Sequence, residues 1–295
     1  MTRRIYKHLC GLALLAGAAT LAAATARAGP WVQARGGYFA KFNASYLYTR
    51  TEFDAHGNEV PLLHSNPLVR DAAYREVVLA SYIEYGVRER VTVLGSLPFK
   101  IATSARTEIS QDANVERKVD VTNGGWSDLF LGVRYALVRG SRPVAIEAGA
   151  KLPLGYASMP DNGGPALGTG KPDAEAALLA GFGAAHVYGS VRAAYRVMGG
   201  SLDDLAGFSA ELGGSHRRLF AQAVLEGWYT TGDIVPLDVS STMMVANQDL
   251  LKLIATAGMK TGTHTAVALE VYHVLDGRNA PTGTTVAAAI AFNTP

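Results

Sequence analysis

The stretch SDLFLGVRYAL, residues 127–137, alternates with a period of two, and this alternation, repeated along the chain, is the strongest constraint on the fold. Leu129, Leu131, Val133, Tyr135 and Leu137 point one way; Asp128, Phe130, Gly132, Arg134 and Ala136 point the other. Successive side chains of an extended strand face opposite sides, so one face here is apolar and the other carries the charges and small residues. The same pattern returns at 143–155, 186–198, 217–229, 249–260, 264–274 and 284–292, with fainter versions at 36–49, 73–86, 90–102, 173–184 and 204–213. The chain is therefore predicted to be all-β, with about twelve strands. A soluble sandwich would bury the apolar faces and wet the charges. A transmembrane barrel would turn the apolar faces to lipid and the charges to a lumen.

The connections separate these alternatives. Residues 50–72, 103–126, 156–172 and 230–248 are long and polar, whereas 87–89, 138–142, 185, 214–216 and 261–263 are tight turns; 199–203 and 275–283 depart mildly from the rule. Alternation of long and short connections predicts a closed antiparallel barrel with long extracellular loops and short periplasmic turns, in the outer membrane of a Gram-negative bacterium. On the apolar parity, Tyr48, Tyr195 and Tyr229 fall at outer strand ends and Tyr85 and Tyr135 at inner ends. These are the two boundaries where a ring with a wet hydroxyl is favoured. In this register Asp128 and Arg134 face the lumen; a one-residue slip would turn Arg134 to lipid at a cost of roughly 2–4 kcal/mol near the midplane.

The first 28 residues are of a different kind. Arg3, Arg4 and Lys7 precede an apolar run from Leu9 to about Ala24, followed by Ala26-Arg27-Ala28, the three parts of a cleavable signal peptide. The expected division is residues 1–28 as signal peptide and 29–295 as a single barrel domain. Removal of the leader takes four bases and no acids from 27 Lys+Arg and 25 Asp+Glu, leaving 23 bases against 25 acids, a net charge of −2. No basic patch calls for nucleic acid. Cys10 is the single cysteine, so the mature chain has neither disulfides nor thiolate metal sites. After the leader, no stretch supplies the ~18 consecutive apolar residues of a spanning helix, which leaves a closed barrel as the way to cross a bilayer.

The lumen-facing parity collects the candidate functional residues: Asp128, Arg134, Glu147, Lys151, Asp173, Glu175, Arg192, Arg196, Glu226, Lys252 and Glu270, with Lys41, Glu76, Glu84, Glu211 and Gln222 on the same parity. Both signs alternate around the wall. Such a ladder either braces the interior through paired charges or forms a polarised constriction that selects permeants, and the two roles are compatible. Arg134, Lys151, Arg192 and Arg196 are expected to oppose acids of neighbouring strands. The expected partners are outer-membrane lipid and small organic solutes; no cofactor and no metal is implied.

A hydrolase would need a serine within reach of a histidine and an acid. Of the histidines, His273 alone lies near the outer end of a strand, on the lipid parity, and Ser240 and Ser241 lie in a loop. His56 and His64 do not have the spacing of zinc ligands. The glycine-rich 162-NGGPALGTG-170 precedes no helix and reads as flexible loop rather than a phosphate cradle. An enzyme is not expected. The alternatives to a channel are a structural or adhesive barrel and, after that, a barrel lipid hydrolase.

Residues 125–137, GWSDLFLGVRYAL, with 145–155, AIEAGAKLPLG, and 168–183, GTGKPDAEAALLAGFG, resemble outer-membrane proteins of the phenol meta-pathway degradation family. That family shows G-x-x-D at a strand start, K-x-P-x-G at a strand end and G-T-G-x-x-D before the next strand. Here these are Gly125 with Asp128, Lys151-Leu152-Pro153-Leu154-Gly155, and Gly168-Thr169-Gly170 with Asp173. The resemblance covers residues 125–183 and implies a barrel for uptake of small, often hydrophobic or aromatic compounds. Larger long-chain fatty-acid transporters, more distantly similar, carry an N-terminal plug. With about seven residues between Gly29 and the first strand, no such plug is expected here. Phe292 takes the place of the terminal aromatic insertion signal, with three residues after it.

Overall fold

A computed structural model describes residues 29–110, 115–236 and 246–294. Its strands are β1 (Tyr38–Thr49), β2 (Thr51–Phe53), β3 (Glu59–Pro61), β4 (Val69–Arg88), β5 (Val91–Ile109), β6 (Glu116–Trp126), β7 (Asp128–Val138) and β8 (Val144–Pro153). They continue as β9 (Asp173–Ala184), β10 (Val187–Val197), β11 (Leu205–His216), β12 (Leu219–Thr230), β13 (Asp249–Lys260), β14 (Thr265–Arg278), β15 (Ala280–Pro281) and β16 (Thr284–Asn293). No helix occurs among the described residues.

Twelve antiparallel staves close into a barrel. β1 pairs with β16 on one side and β4 on the other, so the sheet has no free edge through the membrane. β6 and β7 are one stave, broken at Ser127. β5 pairs Phe99 with Trp126 but Ser96 with Phe130, so two residues of β5 face three of its partner. This is a β-bulge opposite Pro98, which has no N–H to offer a ladder; the Ser127 N–H instead donates to the Pro98 carbonyl at 2.9 Å. A barrel of this strand number is wider than one filled by its own side chains and narrower than an open porin.

The parity follows the alternation of the sequence. On β14, Leu269 is 69% exposed on the outer face while its neighbour Glu270 is 3% exposed inside. On β7, Leu131, Val133, Tyr135 and Leu137 are exposed and Arg134 and Ala136 are buried. Tyr48, Tyr195 and Tyr229 lie exposed at outer strand ends, Tyr229 stacked on Phe208, and Tyr38, Tyr85 and Tyr135 form the inner set. The outer surface is thus an apolar band between aromatic girdles, and the chain is an outer-membrane β-barrel.

Two expected loops are partly strands. Instead of a loop over 103–126, β5 runs on to Ile109 and β6 starts at Glu116, forming a hairpin above the rim. Outside the bilayer neither face must be apolar, so pairs such as Thr103–Thr122, whose hydroxyls lie 2.8 Å apart, hold the strands without an apolar period to reveal them. Within 50–72, β2 pairs with β3 and β15 as a small outer sheet, and β4 begins at Val69.

Candidate functional site: a charged lumen with a packed mouth and an inner strap

All eleven candidate residues face the lumen, and the register sorts them into four groups. The largest is a continuous ladder. Arg134 on β7 contacts Glu84 on β4 and Glu147 on β8, both at 2.9 Å. Arg192 on β10 reaches Glu147 at 3.2 Å and also pairs with Glu175 on β9, and Arg196 contacts Glu175 at 2.5 Å. Arg196 ends the run over the Trp228 ring, 4.4 Å from its centre. Three acids and three bases alternate, so the ladder is neutral. Glu84 is fully buried, Arg134 is 4% exposed, and the Tyr82 hydroxyl adds a hydrogen bond to Glu84 at 2.6 Å. Each buried charge thus has at least one opposite partner, the condition under which burial is tolerated.

The second group lies towards the outer mouth and joins the three motifs of the family resemblance. Lys151 contacts Asp128 at 2.9 Å and Asp173 at 2.7 Å and donates to the Thr169 hydroxyl at 2.9 Å; the Tyr156 hydroxyl donates to Asp128. Beside it, loop residues close the mouth. Leu167 and Leu62 pack with Ala72, Tyr74 and Ala102 in a buried cluster. Asn123 donates to the Pro165 carbonyl at 2.8 Å, and Ser127 donates to the Leu167 carbonyl. The stretch 162–170, read from the sequence as flexible, is instead tied down at its centre by these bonds and by burial of Pro165 and Leu167. Its glycines hid an apolar anchor, Ala166-Leu167, too short to register as a periodic element.

The remaining groups are on the opposite wall. Lys41 on β1 contacts Glu270 on β14 at 2.5 Å, and Lys252 on β13 contacts Glu226 on β12 at 3.3 Å. These are looser and wetter: Lys41 is 29% exposed, and both Lys252 and Glu226 are 27% exposed. This wall borders a cavity of about 660 Å³ whose lining includes Phe39, Lys41, Tyr188, Phe220, Gln222 and Thr256. The Thr256 hydroxyl is buried there with no hydrogen-bond partner among the described residues.

The inner end holds a feature that the sequence pattern does not reveal. Residues 29–37 do not simply lead into β1; they cross the lumen as a strap. Gly36 donates to the Gly86 carbonyl at 2.8 Å, and Gly86 donates back to Gly37 at 2.9 Å. Farther along, the Gln33 amide N–H donates to the Thr92 hydroxyl at 2.8 Å, and its side chain donates to Glu84 at 2.7 Å. Arg134 donates to the Trp31 carbonyl at 3.1 Å, and the Trp31 ring meets Tyr188 edge-on at 6.0 Å. The strap therefore runs from β1 past β4, β5 and β7 to β10, on the far side of the barrel. Two glycines permit it. A Cβ on Gly86 would overlap the Ala34 carbonyl, and one on Gly181 would stand 2.9 Å from Pro30. Nine residues are too few for a folded plug but, extended, reach at most about 30–32 Å, enough for a chord. Trp31 and Gln33 were missed because a lone extended segment has no period; a tryptophan and a glutamine between small residues was the signal present.

Among the described residues no group of three or more His, Cys, Asp or Glu gathers to hold a metal. His273 lies on the exposed face with its Nδ1 2.9 Å from the Thr284 hydroxyl, away from the lumen ladder. Ser240 and Ser241 lie outside the described residues.

Comparison with known proteins gives the fold. The chain is similar to the COG4313 outer membrane channel from Pseudomonas putida F1, at 12% identity and a TM-score of 0.63, over 92% of this chain and 100% of that one. It is also similar to the Ralstonia pickettii toluene transporter TbuX, at 10% identity and a TM-score of 0.48, over 89% of this chain and 90% of that one. The first likeness establishes a shared barrel fold and the second adds nothing to it. No family model and no curated protein matches the sequence.

Proposed function

We propose that this protein is an outer-membrane channel for passive uptake of small organic solutes, hydrophobic or aromatic ones included, of the kind implied by its resemblance to the phenol meta-pathway proteins. The observation that carries this reading is the order of surfaces along the barrel axis. An apolar cluster around Leu62, Leu167 and Tyr74 occupies the outer mouth, a charge-lined lumen follows, and a cavity of about 660 Å³ lies on the inner side. A solute with an apolar body would be exchanged from the mouth to the mixed aromatic and polar cavity, with the charged wall setting which polar groups are tolerated. On this reading the eleven lumen residues divide their work: the tight ladder holds the wall in place, and Glu226, Lys252 and Glu270 meet the permeant. Residues 1–28 act as a signal peptide and leave. The solute passes chemically unchanged.

Reconstitution tests it. Pure protein in planar bilayers should give small single-channel steps, and proteoliposomes should swell in isosmotic small aromatic or amphipathic solutes. Absence of both conductance and swelling would sink the channel reading in favour of a structural or adhesive barrel. Release of acyl chains from phospholipid or lipid A would instead point to a hydrolase.

A further inference from the structure

Glu211 stands apart from the other carboxylates of the lumen wall. Glu76, Glu84, Glu147, Glu175, Glu226 and Glu270 each have a lysine or arginine within 4.0 Å. Glu211, on the lumen parity of β11, has none within that distance among the described residues; the Ser190 hydroxyl donates to it at a long 3.4 Å, the Tyr188 side chain lies beside it, and Lys41 acts on it only from farther off. A half-buried carboxylate with no cation in direct contact is a costly arrangement in a wall that otherwise pairs its charges.

The far end of the strap lies beside it. Ser190 on β10 is the direct register partner of Glu211. The Cβ position of Gly29 lies 3.4 Å from the Ser190 hydroxyl and against the Trp31 ring. Pro30 is fully buried next to Gly181. Gly29 therefore ends the chord at the inner part of β10, beside the Ser190–Glu211 pair.

We propose that cleavage of the Ala28–Gly29 bond places a new α-ammonium group inside the lumen, where it pairs with the Glu211 carboxylate and latches the strap across the barrel. The proposal rests on the reading of residues 1–28 as a cleaved leader. In the cleavage, catalysed by a signal peptidase, water adds across the peptide bond; Ala28 leaves with a carboxylate and Gly29 keeps the amine, which takes up a proton. The charge that completes the wall is thus absent from the precursor, whose residue 29 is an uncharged amide. It appears only when the chain has been processed, and it has no side-chain equivalent in the sequence. Lys41, the nearest competing cation on the facing wall, is already held by Glu270.

The test uses the protein purified from outer membranes. Intact mass and N-terminal sequencing first establish whether the chain begins at Gly29; any other start overturns the latch together with the leader reading. The folded protein is then treated with limiting amine-acetylating reagent, and the N-terminal peptide is quantified by mass spectrometry. An ammonium held by a carboxylate is less often the reactive amine, so Glu211→Gln should be acetylated at Gly29 about tenfold faster than the wild type. Glu211→Asp should stay near the wild-type rate. Equal rates in wild type and Glu211→Gln, with Gly29 as the first residue, would overturn the pair. If Glu211→Gln does not fold, wild-type protein folded and unfolded in urea supplies the comparison, and equal rates there overturn it as well. None of these readouts depends on conductance, so failure of the channel reading would be seen separately.

Discussion

The two walls of the lumen both pair glutamates with cations, arginines on one and lysines on the other, and do different things. On the wall made by β4 and β7–β10, Glu84, Arg134, Glu147, Arg192, Glu175 and Arg196 form one chain of contacts, with Glu84 and Arg134 almost wholly withdrawn from solvent. On the wall made by β1 and β12–β14, Lys41–Glu270 and Lys252–Glu226 are separate pairs whose lysines remain more than a quarter exposed, the first of them lining the cavity. Connectivity makes the difference. A charge with two buried partners has nowhere else to turn, whereas a charge with one partner and access to water can exchange it for a permeant at little cost. The strap accentuates the contrast: it ties itself to the tight wall through Glu84, Thr92 and Arg134 and leaves the cavity on the other side.

The largest effect should come from breaking the tight wall at its hub. Arg134→Ala leaves Glu84 and Glu147 facing each other without that cation and removes the donor to the Trp31 carbonyl. Loss of about 3–5 kcal/mol is expected, read from urea unfolding in vesicles or as loss of the heat-modifiable folded band. Glu84→Gln, which keeps the shape and removes one acid of the pair of acids on Arg134, should cost less. If Arg134→Ala unfolds no more readily than the wild type, the ladder is not what holds this wall.

A smaller effect is expected at the outer mouth. Leu167→Ala removes the loop anchor from the cluster with Leu62, Tyr74 and Ala102. The cost should be about 2 kcal/mol, at the low end for a buried leucine because a loop can settle into the space. Its signature is functional: single-channel conductance should rise and become noisier, since the loop that narrows the mouth loses its hold. Unchanged conductance with a destabilised barrel would mean that the constriction lies at the strap instead.

Much of this architecture is legible in the order of residues alone. The alternation in β7, β8, β10, β12, β13, β14 and β16 reveals both the strand and the face, because lipid on one side and charge on the other enforce a strict period of two. The opposition of Arg134 to Glu147, of Lys151 to Asp128 and Asp173, and of Arg192 and Arg196 to Glu175 follows from parity once neighbouring strands are paired. What stays hidden lies where that enforcement stops. The β5–β6 hairpin stands above the membrane and has no obligatory apolar face. Leu62 and Leu167 act as single anchors in polar loops. Trp31 and Gln33 find their partners 103 and 51 residues away, through the lumen and not along a ladder. The proposed division at residue 28 rests on the leader pattern alone, and residues 1–28 lie outside those described.

The smallest effect on stability, and the sharpest on the comparison, belongs to the loose wall. Lys252→Ala breaks a part-exposed pair at 3.3 Å, and Glu226 keeps the hydrogen bond from the Trp228 ring N–H at 3.0 Å, so its carboxylate is not abandoned. The stability change should be under about 1 kcal/mol. The lumen nevertheless gains one uncompensated negative charge on its wall, so the reversal potential in a salt gradient should move towards cation selectivity. Glu226→Gln should move it the other way, and both shifts should shrink at high ionic strength as the charge is screened. Arg192, on the tight wall, supplies the control. A variant there that shifts selectivity as far as Lys252→Ala, without loss of stability, would show that the two walls are not divided between holding the barrel and meeting the solute. If instead selectivity follows the loose wall and stability the tight one, the division follows the multiply paired arginines of one wall and the singly paired, part-exposed lysines of the other, since parity is the same on both.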